Sequence, residues 1–221
     1  TEQMSGELAN TGVDPMGTPK PLLVGGIFHQ GIEEYYRSGC VDGEDTGDYD
    51  VNAAIASIEK FHAARITEYE EEEDSEKELQ QMVDMMLSYD EFVGPKASLP
   101  DYPDLKIACD PETGEPYIEK AFVTPLGYGN YYMTSKIDAV VVDRGFHKGF
   151  EHKTCAPSWV SRRVSSLHMD TQMTGEIFSL NNNLPEGLSI AGVKINVIAK
   201  GRGPRSTVAP AVRDSTDRTD A

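Results

Sequence analysis

Cysteine is scarce in this chain, which has three cysteines among its 221 residues. Cys40, Cys109 and Cys155 are widely spaced and form no C-x-x-C pair, so the sequence offers neither a zinc-ribbon motif nor a disulfide framework. Three thiols are also too few for an iron–sulfur cluster that takes four cysteine ligands from one chain. This cysteine usage is typical of a reducing compartment, and we therefore expect a cytoplasmic protein.

Long apolar runs are missing as well, since no window approaches the about 18 uninterrupted apolar residues that a membrane-spanning helix needs. Residues 1–21 are polar and lack the apolar stretch of a secretion signal. Their Gly, Pro, Thr and Asn content predicts a flexible lead-in. The chain begins with Thr1, which leaves open whether it is a piece of a longer protein.

Positive charge is in short supply, because 20 lysines and arginines stand against 37 aspartates and glutamates. Such an acidic balance normally argues against nucleic acid as a partner. The charge is uneven, however: residues 42–78 carry 14 acids and three bases, whereas residues 144–163 carry five bases and one acid. The acidic bulk is therefore compatible with a local basic path for DNA but does not require one.

The first half of the chain has the apolar periodicity of helices. An amphipathic helix is predicted over residues 27–36, with its apolar residues at helical spacing. After a loop at 38–50, a helical insert is predicted at about 51–93, in one long or two consecutive pieces. The acidic run at 68–78 inside this insert is typical of a solvated helix face or a frayed connection, and binding of calcium or docking of a protein partner is the alternative.

The second half alternates short apolar runs with turn residues, the pattern of an antiparallel meander. Strands are predicted at residues 105–109, 116–126, 131–143, 148–154 and 188–199, and a helix at 165–180 precedes the last of them. The sequence therefore predicts a single domain over residues 22–200. Residues 201–221 have too little apolar surface to bury and are predicted to be a disordered tail.

Charged residues interrupt the apolar strands of the central hairpin. Asp138 lies inside the first strand, and Glu151 and Lys153 lie two apart on the second, which predicts that their side chains share a face. Burying two carboxylates and an ammonium group is costly without partners, and a shared divalent cation would offset that cost. A salt-bridged solvent face is equally compatible with these three residues taken alone.

Four short motifs place this hairpin in a wider pattern. They are Gly26-Ile-Phe-His-Gln-Gly-Ile-Glu-Glu-Tyr35, Lys136-Ile-Asp138, Glu151-His-Lys-Thr154 and Asp170-Thr-Gln172. In this order, over roughly residues 24–200, the chain resembles the PD-(D/E)XK nuclease superfamily, and within it the RecB-like and phage-encoded exonucleases. The resemblance implies an α/β fold with an α+β restriction-endonuclease-like core, in which a central mixed sheet is flanked by helices and the acidic helical insert is an addition.

The resemblance also implies a metal centre that binds Mg²⁺ or Mn²⁺. Asp138, Glu151 and Lys153 would be the catalytic residues, and His29 and the backbone carbonyl of His152 would join the two acids as metal ligands. A histidine ligand would favour Mn²⁺, although a lone His29 on a helix lined by Phe and Tyr is more often a core residue.

Two further candidates follow from the resemblance. Glu119 would be the acid on the strand that precedes the strand of Asp138. Gln172 would be the glutamine of the helical motif. The alternative for Gln172 is that it caps the end of a buried strand. That motif usually continues to a tyrosine four residues later, where this chain has Glu176.

Trp159, Arg162 and Arg163 follow the second strand of the hairpin and are candidates for DNA binding, through base stacking and phosphate contacts. An ordinary helix entry is equally compatible with these residues.

The expected function is a metal-dependent deoxyribonuclease, with exonuclease activity favoured, in recombination, repair or replication in a bacterial cell or phage-infected host. The alternatives are a structure-specific endonuclease of the same fold and a non-catalytic DNA-binding or scaffold protein. The expected partners are DNA and, through the acidic insert, a protein, with no membrane; oligomeric state is not readable.

Overall fold

The computed structural model describes residues 20–65, 72–92, 105–166, 171–185, 188–200 and 212–216. The helices are α1 (Lys20–Ser38), α2 (Val51–Ala64), α3 (Glu72–Phe92), α4 (Val160–Ser166) and α5 (Thr171–Asn183). The strands are β1 (Cys40–Val41), β2 (Glu44–Asp45), β3 (Lys106–Ile107), β4 (Ile118–Pro125), β5 (Tyr132–Asp143), β6 (Phe146–Cys155), β7 (Ile190–Ala199) and β8 (Val212–Thr216). Residues 1–19 of the lead-in predicted at 1–21 and residues 68–71 of the acidic run lie outside these ranges, whereas Lys20 and Pro21 belong to α1.

A six-stranded mixed sheet forms the centre of the molecule. Strands β3 and β4 both pair antiparallel with β5, one after the other along the same edge, and β5 pairs antiparallel with β6. Strand β7 lies parallel to β6 and is reached by a crossover that contains α4 and α5, while β8 pairs antiparallel with β7. The predicted α/β class, with a central mixed sheet flanked by helices, is confirmed.

Two apolar cores cover the two faces of this sheet. The helical-layer core joins α1, α2 and α3 to one face and includes Phe28, Tyr36, Ala54, Ile58, Met86, Ala139, Val141 and Phe150. The α5 core joins α5 to the other face and includes Ile137, Val140, Met173, Ile177, Leu180, Val193 and Val197. Adjacent residues such as Val140 and Val141 enter different cores, as expected for side chains that alternate across a strand.

Helix α1 begins earlier than the sequence predicted and runs through Gly25 and Gly26. Both glycines would normally weaken a helix. A Cβ at position 25 would lie 3.1 Å from Thr154 Oγ1, so the missing side chain lets α1 approach the end of β6 closely. A Cβ at Gly31 would lie 2.6 Å from the Ile58 side chain, which explains the close packing of α1 against α2.

Two tight turns were not resolved correctly from sequence. Residues 38–50 were predicted as a loop but contain the β1–β2 hairpin, and β6 begins at Phe146 rather than at residue 148. In both hairpins a two-residue turn has positive φ at both positions, Asp42 and Gly43 in one and Arg144 and Gly145 in the other. This turn conformation matches the twist of the flanking strands, so two residues are enough to connect them. The loops predicted from sequence were longer.

Two predicted boundaries near the C-terminus were also wrong. Helix was predicted at 165–180, but the described helical residues begin at Val160 in α4 and end at Asn183 in α5, and residues 167–170 lie outside the described ranges. Pro157 opens a short 3₁₀ turn that leads directly into α4, an early start that Pro favours at a first helical turn. Within the predicted disordered tail, residues 212–216 form strand β8, whose backbone pairs with β7 and so does not depend on a long apolar sequence.

Asp143, at the end of β5, forms a buried ion pair. Its Oδ2 lies 2.8 Å from the ammonium group of Lys194 and 3.6 Å from that of Lys148. The Lys194 side chain is only 1% exposed. Burial acts to raise the pKa of Asp143, but the two lysines outweigh burial and hold the pKa below its usual value.

Asp143→Asn is expected to lower the free energy of unfolding at pH 7 by about 3–5 kcal/mol, because the buried ammonium group of Lys194 loses the carboxylate that lies 2.8 Å from it. Since the pKa of Asp143 is lowered on folding, its stabilisation is complete above the unfolded-state pKa of about 4 and is lost as the pH falls through the folded-state value. In urea unfolding, the free energies of unfolding of the wild type and of Asp143→Asn should therefore converge as the pH falls from neutral to acid. The stabilising role of the Asp143 ion pair would be contradicted if the difference between the two proteins stayed constant with pH. It would also be contradicted if the difference equalled that between the wild type and the exposed Asp42→Asn control.

No helix in the described ranges is both long and apolar enough to cross a membrane. The three cysteines all lie in the described ranges, and none of them forms a disulfide bond there.

Candidate active site

Three potential metal ligands come together where α1, β4 and β5 meet. They are His29 from α1, Glu119 from β4 and Asp138 from β5, and their ligand atoms all lie within 4.8 Å of one another. The Nδ1 atom of His29 is 3.6 Å from Oδ1 of Asp138. All three residues are half-buried and line a cleft of about 1100 Å³. We call this group the acid–histidine cluster.

The regular alternation of side chains breaks at this point of the sheet. Residues two apart on a strand normally share a face, yet Ile137 enters the α5 core whereas Ala139 enters the helical-layer core. The residue between them is Asp138, and Glu119 lies opposite it in β4, between the pairs Ile118–Ala139 and Lys120–Ile137. The break places the carboxylates of Glu119 and Asp138 at the cleft. In a regularly pleated strand, these side chains would instead lie against a core.

The backbone of Glu119 has φ of 52°, in the left-handed region that non-glycine residues rarely adopt. This conformation costs about 1–2 kcal/mol for a residue with a Cβ. The Glu119 carboxylate also forms an ion pair with Lys136 on the neighbouring strand. Strained backbone of this kind persists where the surrounding structure holds it, and it often marks a functional site.

A glycine at position 119 is expected to be tolerated better than an alanine. Both Glu119→Gly and Glu119→Ala remove the carboxylate and its ion pair, but only glycine adopts positive φ without a steric penalty. We therefore expect Glu119→Gly to be more stable than Glu119→Ala by about 1 kcal/mol in urea unfolding. Equal stabilities would show that the backbone at 119 is not strained.

Asp138 is tied directly to strand β6. Its Oδ2 accepts a hydrogen bond of 2.7 Å from the backbone N–H of His152, and its own N–H donates to Oε1 of Glu151 at 3.3 Å. Glu151 Oε2 in turn accepts a hydrogen bond of 2.7 Å from the Lys153 ammonium group. Glu151 and Lys153 therefore share a face, as their spacing predicted. Because each carboxylate is fixed by partners on the neighbouring strand, the group is preorganised rather than loose.

Burial and neighbouring charges shift the ionisation of this group in opposite directions. Burial acts to raise the pKa of Asp138, but interactions with His152 and His29 outweigh burial and hold the pKa far below its usual value. Burial and the charge of Asp138 raise the pKa of Glu151 to about 7, against the opposing effect of Lys153. Burial acts to lower the pKa of Lys153, but Glu151 outweighs burial and raises the pKa, so the ammonium form persists at neutral pH.

A chain of buried polar groups supports the cluster from behind. The hydroxyl groups of Tyr36 and Tyr89 are hydrogen-bonded to each other. The Tyr89 hydroxyl also lies 3.0 Å from Nε2 of His152 and accepts a hydrogen bond of 3.0 Å from the Asn196 amide. This chain links α1, α3, β6 and β7, so the position of His152, and through it Asp138, depends on the packing of both helices against the sheet.

Gln172 lies on α5 and donates a hydrogen bond of 2.6 Å to Oε1 of Glu176. Glu176 is buried, and its Oε2 makes no hydrogen bond to any described residue. Burial and the charge of Glu151 raise the pKa of Glu176 to about 8. The residue that replaces the expected tyrosine thus adds a buried carboxyl group on the α5 side of the site.

Trp159 ends the 3₁₀ turn that follows β6 and is 54% exposed. The Arg162 guanidinium carbon lies 5.0 Å from the centre of its ring, a distance typical of a cation–π contact. Cys155, Ala156 and Pro157 line the cleft immediately before Trp159, so the pair lies beyond one wall of the cleft. The side chain of Arg163 lies outside the described residues.

The metal ligands predicted from sequence were His29, Asp138, Glu151 and the carbonyl of His152. The described residues instead group His29 and Asp138 with Glu119, which the sequence offered only as a further candidate. Glu151 lies behind Asp138, with its two oxygens engaged by Lys153 and the Asp138 N–H. A ligand role for Glu151 and for the carbonyl of His152 stays a prediction.

Three groups near the site were not predicted from sequence to have a role: Glu176, Lys136 and the ring of His152. Glu176 could have been found from its position, four residues after Gln172, where the two side chains meet on one helix face. Lys136 precedes Asp138 by two residues, which places it on the same side of the strand near the cleft. The contacts of the His152 ring left no signal in the sequence, since they involve Tyr36 and Tyr89 from distant helices.

Comparison with protein-family models finds none that matches this chain, and comparison with curated proteins finds no match either.

Proposed function

We propose that this chain is a metal-dependent deoxyribonuclease of the PD-(D/E)XK type, acting on linear DNA in recombination, repair or replication of a bacterium or phage. The observation that carries the proposal is that the acid–histidine cluster and Lys153 line one cleft, with the buried Glu151 carboxylate paired to Lys153. A strand with Asp138, a tight turn, and a strand with Glu151 and Lys153 form the centre of a mixed sheet with helices on both faces. This arrangement supports a restriction-endonuclease-like core.

The donor set of the cluster suits Mg²⁺ or Mn²⁺. Two carboxylates offer the oxygen ligands that both ions prefer, and the imidazole of His29 is better suited to Mn²⁺. The second oxygen of Asp138 is held by the His152 N–H, so the first remains oriented towards His29. Such a cation, when bound, supplies the Lewis acidity that neutralises phosphodiester charge and lowers the pKa of water.

Two roles beside a metal centre are open to a lysine such as Lys153: it can position the attacking water, or it can help to deprotonate that water. Because Glu151 raises the pKa of Lys153, its ammonium group is a poor proton acceptor near neutral pH. We therefore assign it to orienting the nucleophile and to stabilising negative charge that develops on the phosphate. Glu151 fixes the ammonium group by a hydrogen bond of 2.7 Å.

Access for DNA is provided by the cationic part of the cleft lining. Lys136, Lys153 and Lys200 line the cleft together with the acids of the cluster. Arg162, stacked on Trp159, extends the positive charge beyond the cleft wall. These groups give a phosphate backbone local counter-charges on a chain with a net charge of −17.

The experiment that tests the proposal is hydrolysis of linear single-stranded, linear double-stranded and closed circular DNA with Mn²⁺, Mg²⁺ or a chelator. We expect the wild type to degrade linear DNA only with a divalent cation, and Glu151→Gln to be slower by at least about 100-fold. Glu151→Gln keeps the side-chain volume and removes the charge that holds Lys153. Glu112→Gln, in an exposed turn, is the matched control and should behave as the wild type.

Equal rates for the wild type and Glu151→Gln, or no hydrolysis by either, would overturn the proposal. Cleavage of circular DNA at the rate of linear DNA would replace exonuclease with endonuclease activity. Cation-independent binding of DNA without any cleavage would favour the non-catalytic alternative.

A further inference from the structure

The hairpin between β4 and β5 carries an unusual group of exposed aromatic side chains. Tyr128, Tyr131 and Tyr132 are 67%, 65% and 63% exposed, although tyrosine rings normally bury much of their surface. The rings of Tyr128 and Tyr131 lie 5.9 Å apart. A Cβ at Gly129 would lie 3.2 Å from the ring of Tyr131, so the glycine lets that ring pack on the loop backbone. We call these three residues the tyrosine tip.

The tyrosine tip lies on a hairpin without acidic residues. Residues 120–137 contain two lysines and no aspartate or glutamate, in a chain with a net charge of −17. This stretch is bounded by Glu119 and Asp138, the two acids of the acid–histidine cluster. The whole hairpin that leaves the site is therefore free of groups that would repel a polyanion.

A groove lies along β5 between the tyrosine tip and the cluster. It has a volume of about 370 Å³ and is lined by residues 133–136 of β5 and by Thr171, Gln172, Gly175 and Glu176 of α5. Lys136 lines both this groove and the larger cleft that contains Asp138. The six residue steps from Tyr132 to Asp138 span about 20 Å along the strand. The groove thus starts at Met133, next to Tyr132 in the strand, and shares Lys136 with the cleft of the acid–histidine cluster.

We propose that the tyrosine tip binds the unpaired bases of single-stranded DNA, whose backbone follows the groove along β5 to the acid–histidine cluster. The choice of this occupant rests on the proposed function. Three exposed ring faces offer sequence-independent stacking, which only unpaired bases can use because a duplex hides the faces of its bases. The absence of acids from residues 120–137 and the position of Lys136 favour a phosphate backbone over an apolar partner.

Two triple variants test this assignment without cleavage. In the presence of a chelator, fluorescence anisotropy would measure the affinity of the full chain for a labelled oligothymidine and for a duplex of equal length. Replacing Tyr128, Tyr131 and Tyr132 with leucine is expected to weaken single-strand binding by about 10- to 100-fold. Replacing all three with phenylalanine, which keeps the ring faces, should change the affinity by no more than about threefold. Neither variant should change duplex affinity by more than about twofold.

Oligonucleotide length provides a second measurement. At about 3.4 Å per stacked nucleotide, a path of about 20 Å corresponds to about six nucleotides. Affinity for the wild type should rise steeply up to this length and more slowly beyond it, whereas the leucine variant should show no such step. A 2-aminopurine placed in the bound segment should be quenched by the wild type and the phenylalanine variant but not by the leucine variant.

Equal single-strand affinity of the leucine variant and the wild type would overturn the proposal, as would an equal loss for single strands and duplex. A wild type that sedimentation shows to be a dimer, and a leucine variant that is monomeric with unchanged single-strand affinity, would assign the tip to self-association instead. The binding assay needs neither cation nor hydrolysis. Failure of the nuclease proposal would therefore leave ring-dependent binding intact, and failure of the tip proposal would leave hydrolysis intact.

Discussion

Asp138→Asn is expected to abolish both cation binding and DNA hydrolysis. Asparagine keeps the size of the side chain and an oxygen that can accept the His152 N–H, but it removes the negative charge between His29 and Glu119. We expect Mn²⁺ affinity in isothermal titration calorimetry to fall by more than about 100-fold. The rise in melting temperature that Mn²⁺ gives the wild type should disappear in the variant, because a ligand stabilises only the state that binds it.

The same substitution at an exposed turn provides the control. Asp42 has positive φ, a conformation that asparagine adopts readily, so Asp42→Asn should fold and bind Mn²⁺ as the wild type does. If Asp138→Asn bound Mn²⁺ with wild-type affinity, the cation would have to bind away from the acid–histidine cluster.

Lys153→Met is expected to separate hydrolysis from cation binding. The methionine keeps most of the apolar stem and removes the ammonium group, while His29, Glu119 and Asp138 are unchanged. Under single-turnover conditions with saturating DNA and Mn²⁺, we expect the rate to fall by about 10²–10³-fold, as for loss of one group that stabilises transition-state charge. Mn²⁺ affinity should change by less than about tenfold.

A double variant controls for the effect of Lys153→Met on stability. Removing Lys153 leaves Glu151 buried without its counter-charge, which is expected to cost about 3–5 kcal/mol of folding free energy. Lys153→Met combined with Glu151→Gln removes both charges and should recover most of the stability in urea unfolding, while hydrolysis stays low. Recovery of hydrolysis in the double variant would mean that Lys153 acts only through stability and not on the reaction.

Local pattern predicted the parts of the fold whose contacts are close in sequence. The spacing of Glu151 and Lys153 placed them on one face, and the apolar runs on either side of residues 144 and 145 placed β5 and β6 in one hairpin. The apolar stripe around Phe28 and Tyr36 predicted the buried side of α1. In each case a period of two or of about 3.6 residues was sufficient.

The features that sequence did not predict depend on tertiary contacts. The left-handed backbone of Glu119 arises from the break in side-chain alternation opposite Asp138, and no local pattern marks it. The extension of α1 through Gly25 depends on the approach of Thr154, more than 120 residues away. Strand β8 exists because the edge of β7 accepts it, although its own composition resembles a tail. Each of these results was decided by a partner distant in sequence.

The break in alternation at Asp138 has a consequence for how folding and activity are coupled. His29 reaches the cluster from α1, which packs in the helical-layer core, whereas the charge of Glu151 acts on Glu176 of α5, which packs in the other core. The proposed catalytic group is therefore complete only when both cores are formed. Loss of either core by local unfolding would separate its residues, so a partly folded chain would lack the proposed site.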